Sequence, residues 1–95
     1  MRRSKLEIYI DILNALALKG QLKLTDIMYN SNVNYQVLTE QLEFLIKNGL
    51  VEEKLLNRER SVYTITLKGS NVLKFFGEIE QVSQIEEERH NPLLF

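Results

Sequence analysis

Residues 25–49 read TDIMYNSNVNYQVLTEQLEFLIKNG, and the pattern inside them decides the fold. The polar cluster Asn30, Ser31 and Asn32 breaks the stretch into a short segment and a longer one, because these side chains favour turns over helix interiors. Asn34 stands where a helix N-cap is needed, its side chain able to accept from an orphan N–H of the first turn. Val33 before the cap and Leu38 four residues after it have the spacing of a hydrophobic staple. Leu38, Leu42, Leu45 and Ile46 then recur at helical spacing and make one apolar stripe. Gly49 follows as a residue free to take positive φ, with Lys47 favourably placed against the dipole in the last turn. The opposite face carries Gln36, Thr39, Glu40, Glu43 and Lys47.

A short helix, a tight turn and a second helix exposed on one face form the outline of a helix-turn-helix. An ordinary helical hairpin has the same outline, so the flanking sequence must decide. Upstream, Ser4 and Glu7 have the spacing of a capping box. They open a helix with Leu6, Tyr9, Leu13 and Leu16 on its stripe, widened by Ile8, Ile10, Ile12 and Ala17, and closed by Lys19 and Gly20. Gln21 to Leu24 alternates polar and apolar and reads as one small strand, after which Thr25 is expected to cap the short helix. Within that helix Ile27 and Met28 can face inward, and Tyr29 is expected at the core with its hydroxyl at the edge.

Downstream, Leu50 and Val51 begin a strand and Val62 to Thr66 form a β-branched second one. The polar residues Asn57 to Ser61 lie between them, giving a hairpin with a charged tip. Tyr63, inside this apolar pattern, is again read as core. Thr66 caps a last helix predicted to reach about His90, roughly 35 Å at ~1.5 Å per residue. Gly69 falls in its first turn, Gly77 in its middle, and Pro92 prevents its continuation. Helix, strand, helix, turn, helix, hairpin is the winged-helix order. The expected fold class is therefore mainly α with a small β-hairpin, a winged helix-turn-helix with a long C-terminal helix. The domain reading is 1–70 for the winged unit and 71–95 for a C-terminal dimerisation helix and tail.

Ninety-five residues that are 44% hydrophobic suffice for one domain with one core. The chain has no cysteine, which excludes disulfides, zinc–thiolate sites and cysteine nucleophiles, and suits a reducing cytoplasm. No apolar run approaches a membrane span. The basic start MRRSKLEIYIDIL is interrupted by Glu7 and Asp11 and reads as a helix, not a signal peptide. Charge is unevenly spread: residues 1–74 hold 11 Lys/Arg against 8 Asp/Glu, and residues 75–95 hold 1 against 5. A mildly basic body permits a polyanion partner without demanding one. One histidine, His90, in an acidic tail cannot supply a Ser-His-Asp set or a ligand-spaced cluster, and there is no phosphate loop. Glu86, Glu87 and Glu88 read as a solvated helix face. No enzyme activity, cofactor, metal or small-molecule ligand is expected.

Three stretches, RRSKLEIYIDILNAL, TDIMYNSNVNYQVLTEQLEFLIKNGLV and YTITLKG, resemble the archaeal winged-helix proteins that include small chromatin-associated DNA-binding proteins and predicted transcriptional regulators. The resemblance covers roughly residues 2–76. It implies a dimer held by the C-terminal helix, the second helix of the motif as recognition helix, and the wing as a backbone contact. Double-stranded DNA is the implied partner. Glu40 and Glu43 depart from the family's basic recognition face and favour a selective regulator over a DNA-coating protein.

The expected DNA-binding set follows from these elements. Tyr35, Gln36 and Thr39 stand at the start of the recognition helix, where side chains reach base edges and Gln can pair bidentately with adenine. Glu40 and Glu43 can accept from cytosine N4, and Lys47 lies on the same face. Arg58 and Arg60 at the wing tip suit phosphates or a minor groove. Arg2, Arg3 and Lys5 make a basic start able to reach the backbone. The alternative is a winged-helix module that binds protein and not DNA, which the acidic recognition face favours.

In the last helix Val72, Phe75, Ile79 and Val82 follow spacings of three, four and three, the a/d rhythm of a coiled coil, and are the expected dimer interface. Leu73 and Phe76 are expected to dock on their own subunit. The rhythm reaches Glu86 and Arg89, so the seam is about two heptads long, with Leu93, Leu94 and Phe95 available to fold over a partner.

Overall fold

The computed structural model describes residues 3–77. Helix α1 spans Lys5–Lys19, α2 Leu24–Ser31 and α3 Tyr35–Lys47. Strands β1, Val51–Asn57, and β2, Arg60–Ile65, pair antiparallel as a hairpin. Helix α4 begins at residue 67 and is helical through residue 77. Its expected course to His90 lies outside the described residues, as do Ile79 and Val82.

The expected local devices are present. Ser4 accepts from the Glu7 N–H, and the Glu7 carboxylate accepts from the Ser4 N–H. Asn34 Oδ1 accepts from the Val37 N–H at 2.9 Å, and the staple pair Val33 and Leu38 is buried. At the far end of α3, Gly49 has φ +73°; its N–H donates to Ile46, and the Leu50 N–H donates to Leu45. That is the Schellman arrangement of two nested bonds on orphan carbonyls. Lys68 Nζ donates to the Asn48 carbonyl at 2.9 Å, adding a cation at the same helix end.

Three helices close on one core of Ile12, Leu13, Leu16, Ile27, Val33, Leu38, Leu42, Leu45 and Val51. Tyr9 on α1 stacks on Phe44 on α3 at the rim. The stripe of α1 is centred further along than its sequence suggests: Ala15 is buried, while Leu6 and Ala17 are exposed.

Thr66 knits α4 to the end of α3. Its Oγ1 donates to the Gly49 carbonyl at 2.7 Å and accepts from the Gly69 N–H at 3.0 Å. Gly69 is required by close approach. A Cβ there would overlap the Leu50 carbonyl oxygen and press on Ile65 Cγ1 at 2.8 Å.

Several expectations need correction. The segment Gln21 to Leu24 forms no strand; only Leu22 bridges Tyr63, through two backbone bonds of 3.1 and 2.8 Å. That bridge leaves Lys23 extended, and α2 starts at Leu24 with Lys23 as an N-cap that makes no side-chain bond. Thr25 therefore sits inside the first turn. Packing of Leu24 against the core outweighs a side-chain cap worth ~1 kcal/mol. Tyr29 is 88% exposed and not core. At about 100° per residue it points nearly opposite to Ile27, which is fully buried. The polar tip of the hairpin is shorter than expected. Asn57 pairs with Arg60, leaving Arg58 and Glu59 as a two-residue turn, with a register irregularity between Leu55 and Asn57.

Candidate nucleic-acid interface

Helix α3 turns its apolar stripe inward, and this leaves Tyr35, Gln36, Glu40, Glu43 and Lys47 exposed, with Thr39 half-buried. The hairpin leaves the body beside it. Beyond Val51 every residue of β1 is exposed, whereas β2 lies against the body, with Val62 buried and Tyr63 and Ile65 packed on the core. The solvent-facing part of the wing is therefore β1 and the turn. Between α3 and the wing lies an open cleft of about 670 Å³. Tyr35, Thr39, Glu43 and Lys47 line its helix wall, Glu53 and Tyr63 its wing wall, and Leu24, Leu42 and Ile46 also line it. Four residues of the sequence-derived set thus meet in one concavity. Gln36 and Glu40 stand on the same helix outside it. Arg60 lines a neighbouring recess with Lys23, Thr25, Glu59 and Ser61, and Arg58 is exposed at the turn.

Two groups in this region are already engaged. Thr39 Oγ1 donates to the Gln36 carbonyl at 2.9 Å, which keeps its lone pairs available. Tyr63 donates its hydroxyl to Glu53 Oε2 at 3.2 Å, across the strand pair. Burial first, and then the charge of Glu53, its hydrogen bond and the charge of Tyr35, push the Tyr63 phenol above its ordinary value of 10.0.

The basic start divides. Lys5 is exposed at the first position of α1 and lines neither recess. Arg2 lies outside the described residues. Arg3 is engaged at the surface of the body: its guanidinium pairs with Asp11 at 2.6 Å and donates to the carbonyls of Ser31, at 2.7 Å, and Asn32.

The surface is nearly neutral. Residues 23–60, which contain α2, α3 and the wing, hold 5 Lys/Arg against 6 Asp/Glu. Sequence reasoning missed Glu53 and Lys23 as parts of this region, and also the exposure of Leu55 and Leu56 on the wing. The signal for the leucines was available only in part: an apolar pair in a strand reads as buried unless the strand is known to project from the body. Among the described residues, no group of three or more His, Asp or Glu side chains converges to hold a metal ion, and no helix is long and apolar enough to cross a membrane.

Three helices with a short turn before α3, followed by a two-stranded hairpin beside its exposed face, define a winged helix-turn-helix. The chain belongs to the winged helix-turn-helix family, whose pattern it matches over residues 2–84. Among solved structures it is similar to Sso10a-2, a DNA-binding protein from the archaeon Sulfolobus solfataricus, with a TM-score of 0.71 and 28% identity over 98% of both chains. RosR from H. salinarum is similar in fold, with a TM-score of 0.74 and 22% identity over 80% of this chain and 74% of that one. So is a MarR-family transcriptional regulator from Silicibacter pomeroyi, with a TM-score of 0.74 and 19% identity. The match to it covers 93% of this chain but only 61% of the regulator, so the chain spans about three-fifths of that protein's length. No curated protein sequence matches the chain.

Proposed function

We propose that the chain is a sequence-selective double-stranded DNA-binding protein, a transcriptional regulator that binds as a dimer. Helix α3 enters the major groove and the wing lies on the backbone or in the minor groove. The observation that carries this reading is the exposed N-terminal face of α3, with Tyr35 and Gln36, set beside a projecting hairpin that ends in Arg58 and Arg60. The likeness to a Sulfolobus DNA-binding protein along its whole length supports it. Tyr35, Gln36 and Thr39 read bases, Glu40 and Glu43 restrict the choice of base, and Lys47, Arg58, Arg60, Lys5 and Arg2 meet phosphates. Residues 1–70 act as the reading unit and 71–95 as the pairing unit.

Selection of bound sequences from a random duplex pool tests this directly. A regulator returns a preferred site with two related half-sites. Absence of retention on duplex even at low salt refutes the reading. The near-neutral charge of residues 23–60 then favours the second one, a winged module whose α3 face and cleft bind protein.

A further inference from the structure

Arg3 is 28 residues in sequence from Ser31, yet the two are joined by a hydrogen bond. One nitrogen of its guanidinium, Nη1, serves both Asp11 Oδ2 at 2.6 Å and the Ser31 carbonyl at 2.7 Å; Nη2 serves the Asn32 carbonyl. Ser31 is the last residue of α2, and Asn32 is its C-cap, in the left-handed region at φ 54°. The chain then passes through Val33 to Asn34, the N-cap of α3. A single planar cation therefore ties the stretch before α1, the second turn of α1 and the turn that aims α3.

We propose that Arg3 and Asp11 form a positioning clasp for the turn between α2 and α3, and so govern duplex selectivity without touching DNA. The inference rests on the reading of α3 as a recognition helix.

The chemistry of the three acceptors supports it. The last carbonyls of a helix carry partial negative charge and lack intrahelical partners. A guanidinium presents donors in a rigid fork, and can bind a carboxylate and two carbonyls at once with fixed geometry; an ammonium is a point charge without that geometry. Asp11 shares Nη1 with the Ser31 carbonyl and so fixes the guanidinium against α1. Both charged side chains are only partly buried, at 31% and 38% exposure. The value of the contact therefore lies in its directionality and not in Coulomb energy, which water screens. The turn has other ties: the Asn32 N–H on the Met28 carbonyl, Ser31 Oγ on the Ile27 carbonyl, and the buried Val33. These two hydrogen bonds stay within α2 and its cap, whereas those of Arg3 reach from another segment. Val33 N–H reaches the Met28 carbonyl at 3.3 Å, a long bond, and Asn32 occupies a conformation that few non-glycine residues adopt. Base readout requires the start of α3 to be held closely in position, and the clasp closes on the two residues that precede Val33 and the Asn34 cap.

The alternative role for Arg3 is a phosphate ligand, and the two roles give opposite signs for one substitution. With the site preferred by wild type in hand, affinities for that duplex and for a random one are measured across a salt series for wild type, Arg3→Ala, Arg3→Lys and Asp11→Asn. Under the clasp, all three variants lower the preferred-to-random ratio by about tenfold, one mispositioned base contact. Their salt slopes stay at the wild-type value. Under a phosphate role, Arg3→Ala lowers the slope by about 0.9, one released counterion. Arg3→Lys is then nearly silent, and Asp11→Asn frees a cation and tightens binding to every duplex. Either of those patterns overturns the clasp and leaves the DNA reading standing. A wild type that binds no duplex overturns both. Urea midpoints for each variant separate repositioning from unfolding, and Asp11→Asn, being isosteric, is the variant that retains the fold.

Discussion

The ring of Tyr9 on α1 lies parallel to the ring of Phe44 on α3, with centroids 4.7 Å apart and 10° between the planes. Phe44 is 43% exposed, so this pair sits at the edge of the core and joins the first helix to the outer side of the third. Aromatic pairs contribute ~0.5–1.5 kcal/mol beyond their buried area. Phe44→Leu keeps an apolar side chain but removes the stack. It is expected to lower stability by about 1 kcal/mol, read as a lower urea midpoint with an unchanged slope. DNA affinity at a temperature where the variant is folded should stay at the wild-type value, because the pair lies off the cleft-lining face.

Gly69 gives a sharper test of packing. Alanine is normally the better helix former by ~1 kcal/mol, so a Gly in the first turn of α4 looks improvable from sequence. The structure reverses the sign, because a methyl group would meet the Leu50 carbonyl oxygen, which is backbone and cannot move aside. Gly69→Ala is expected to destabilise by about 1–3 kcal/mol through overpacking. Gly77→Ala, with nothing within 4 Å of a new Cβ, should be neutral or stabilising. The two thermal midpoints, compared side by side, check the contrast.

What was legible in the sequence was local. The Ser4–Glu7 box, the Asn34 cap with its Val33–Leu38 staple, and the Gly49 stop each rest on residues within five positions of one another, and each is present. What was not legible depends on where remote segments meet. Thr25 loses its capping role because Leu22 bridges Tyr63, 41 positions away. Arg3 is engaged because Asp11 and the end of α2, remote in sequence, meet it. Tyr29 faces solvent because α2 is one layer thick over the core and only one side of it can be buried. The exposure of this face of α3 followed from periodicity alone, but the cleft it shares with Glu53 and Tyr63 could not be seen until the wing was placed.

Tyr63 makes stability fall at alkaline pH. Its phenol is pushed above the ordinary value of 10.0 by burial and by Glu53, so the folded chain holds that proton more tightly than the unfolded one. The stabilisation is fully present below the unfolded value. It is lost as pH rises through the folded one, because there the folded state binds more protons than the unfolded state. Tyr63→Phe keeps the ring and removes the titration. Its urea midpoint should fall less steeply than that of wild type above the unfolded phenol value, and absorbance of the phenolate band should show one late-titrating tyrosine missing.

The wing and the recognition helix should separate phosphate from base contacts. Arg58 and Arg60, both exposed, are replaced together by alanine: affinity for all duplexes falls, and the salt slope flattens by about 0.9 for each phosphate lost. Gln36→Ala leaves the slope alone and shifts sequence preference by about 1–3 kcal/mol if its amide pairs with adenine. A Gln36→Ala protein with wild-type preference removes Gln36 from the reading set. Glu43→Gln, on the cleft wall, should raise affinity for random duplex, since a negative charge is removed from the surface proposed to meet DNA. Mobility-shift titrations at several salt concentrations report all three.

The exposed face of α4 bears on assembly. Leu73 packs against its own core, as expected, but so does Val72, which the heptad rhythm had assigned to the partner. Phe75 is 58% exposed and Leu67 79%, and Phe76 meets Phe75 edge-on at 5.9 Å. With Lys68, Asn71 and Val72 these rings line a groove of about 550 Å³. In the proposed dimer a second copy covers it, with Phe75 facing that copy and Val72 both lining the groove and packing on its own core. Val72→Ala should then lower the stability of each subunit and weaken its association only slightly. Phe75→Glu, by contrast, places a charge in the seam. Light scattering on wild type should give twice the 11.2 kDa chain mass, and Phe75→Glu should give the chain mass itself with an intact helical spectrum. Affinity for a two-half-site duplex should fall with dissociation, because one recognition helix per complex remains. A wild type that is monomeric at micromolar concentration refutes the dimer, as does a dimer indifferent to Phe75→Glu and Ile79→Glu.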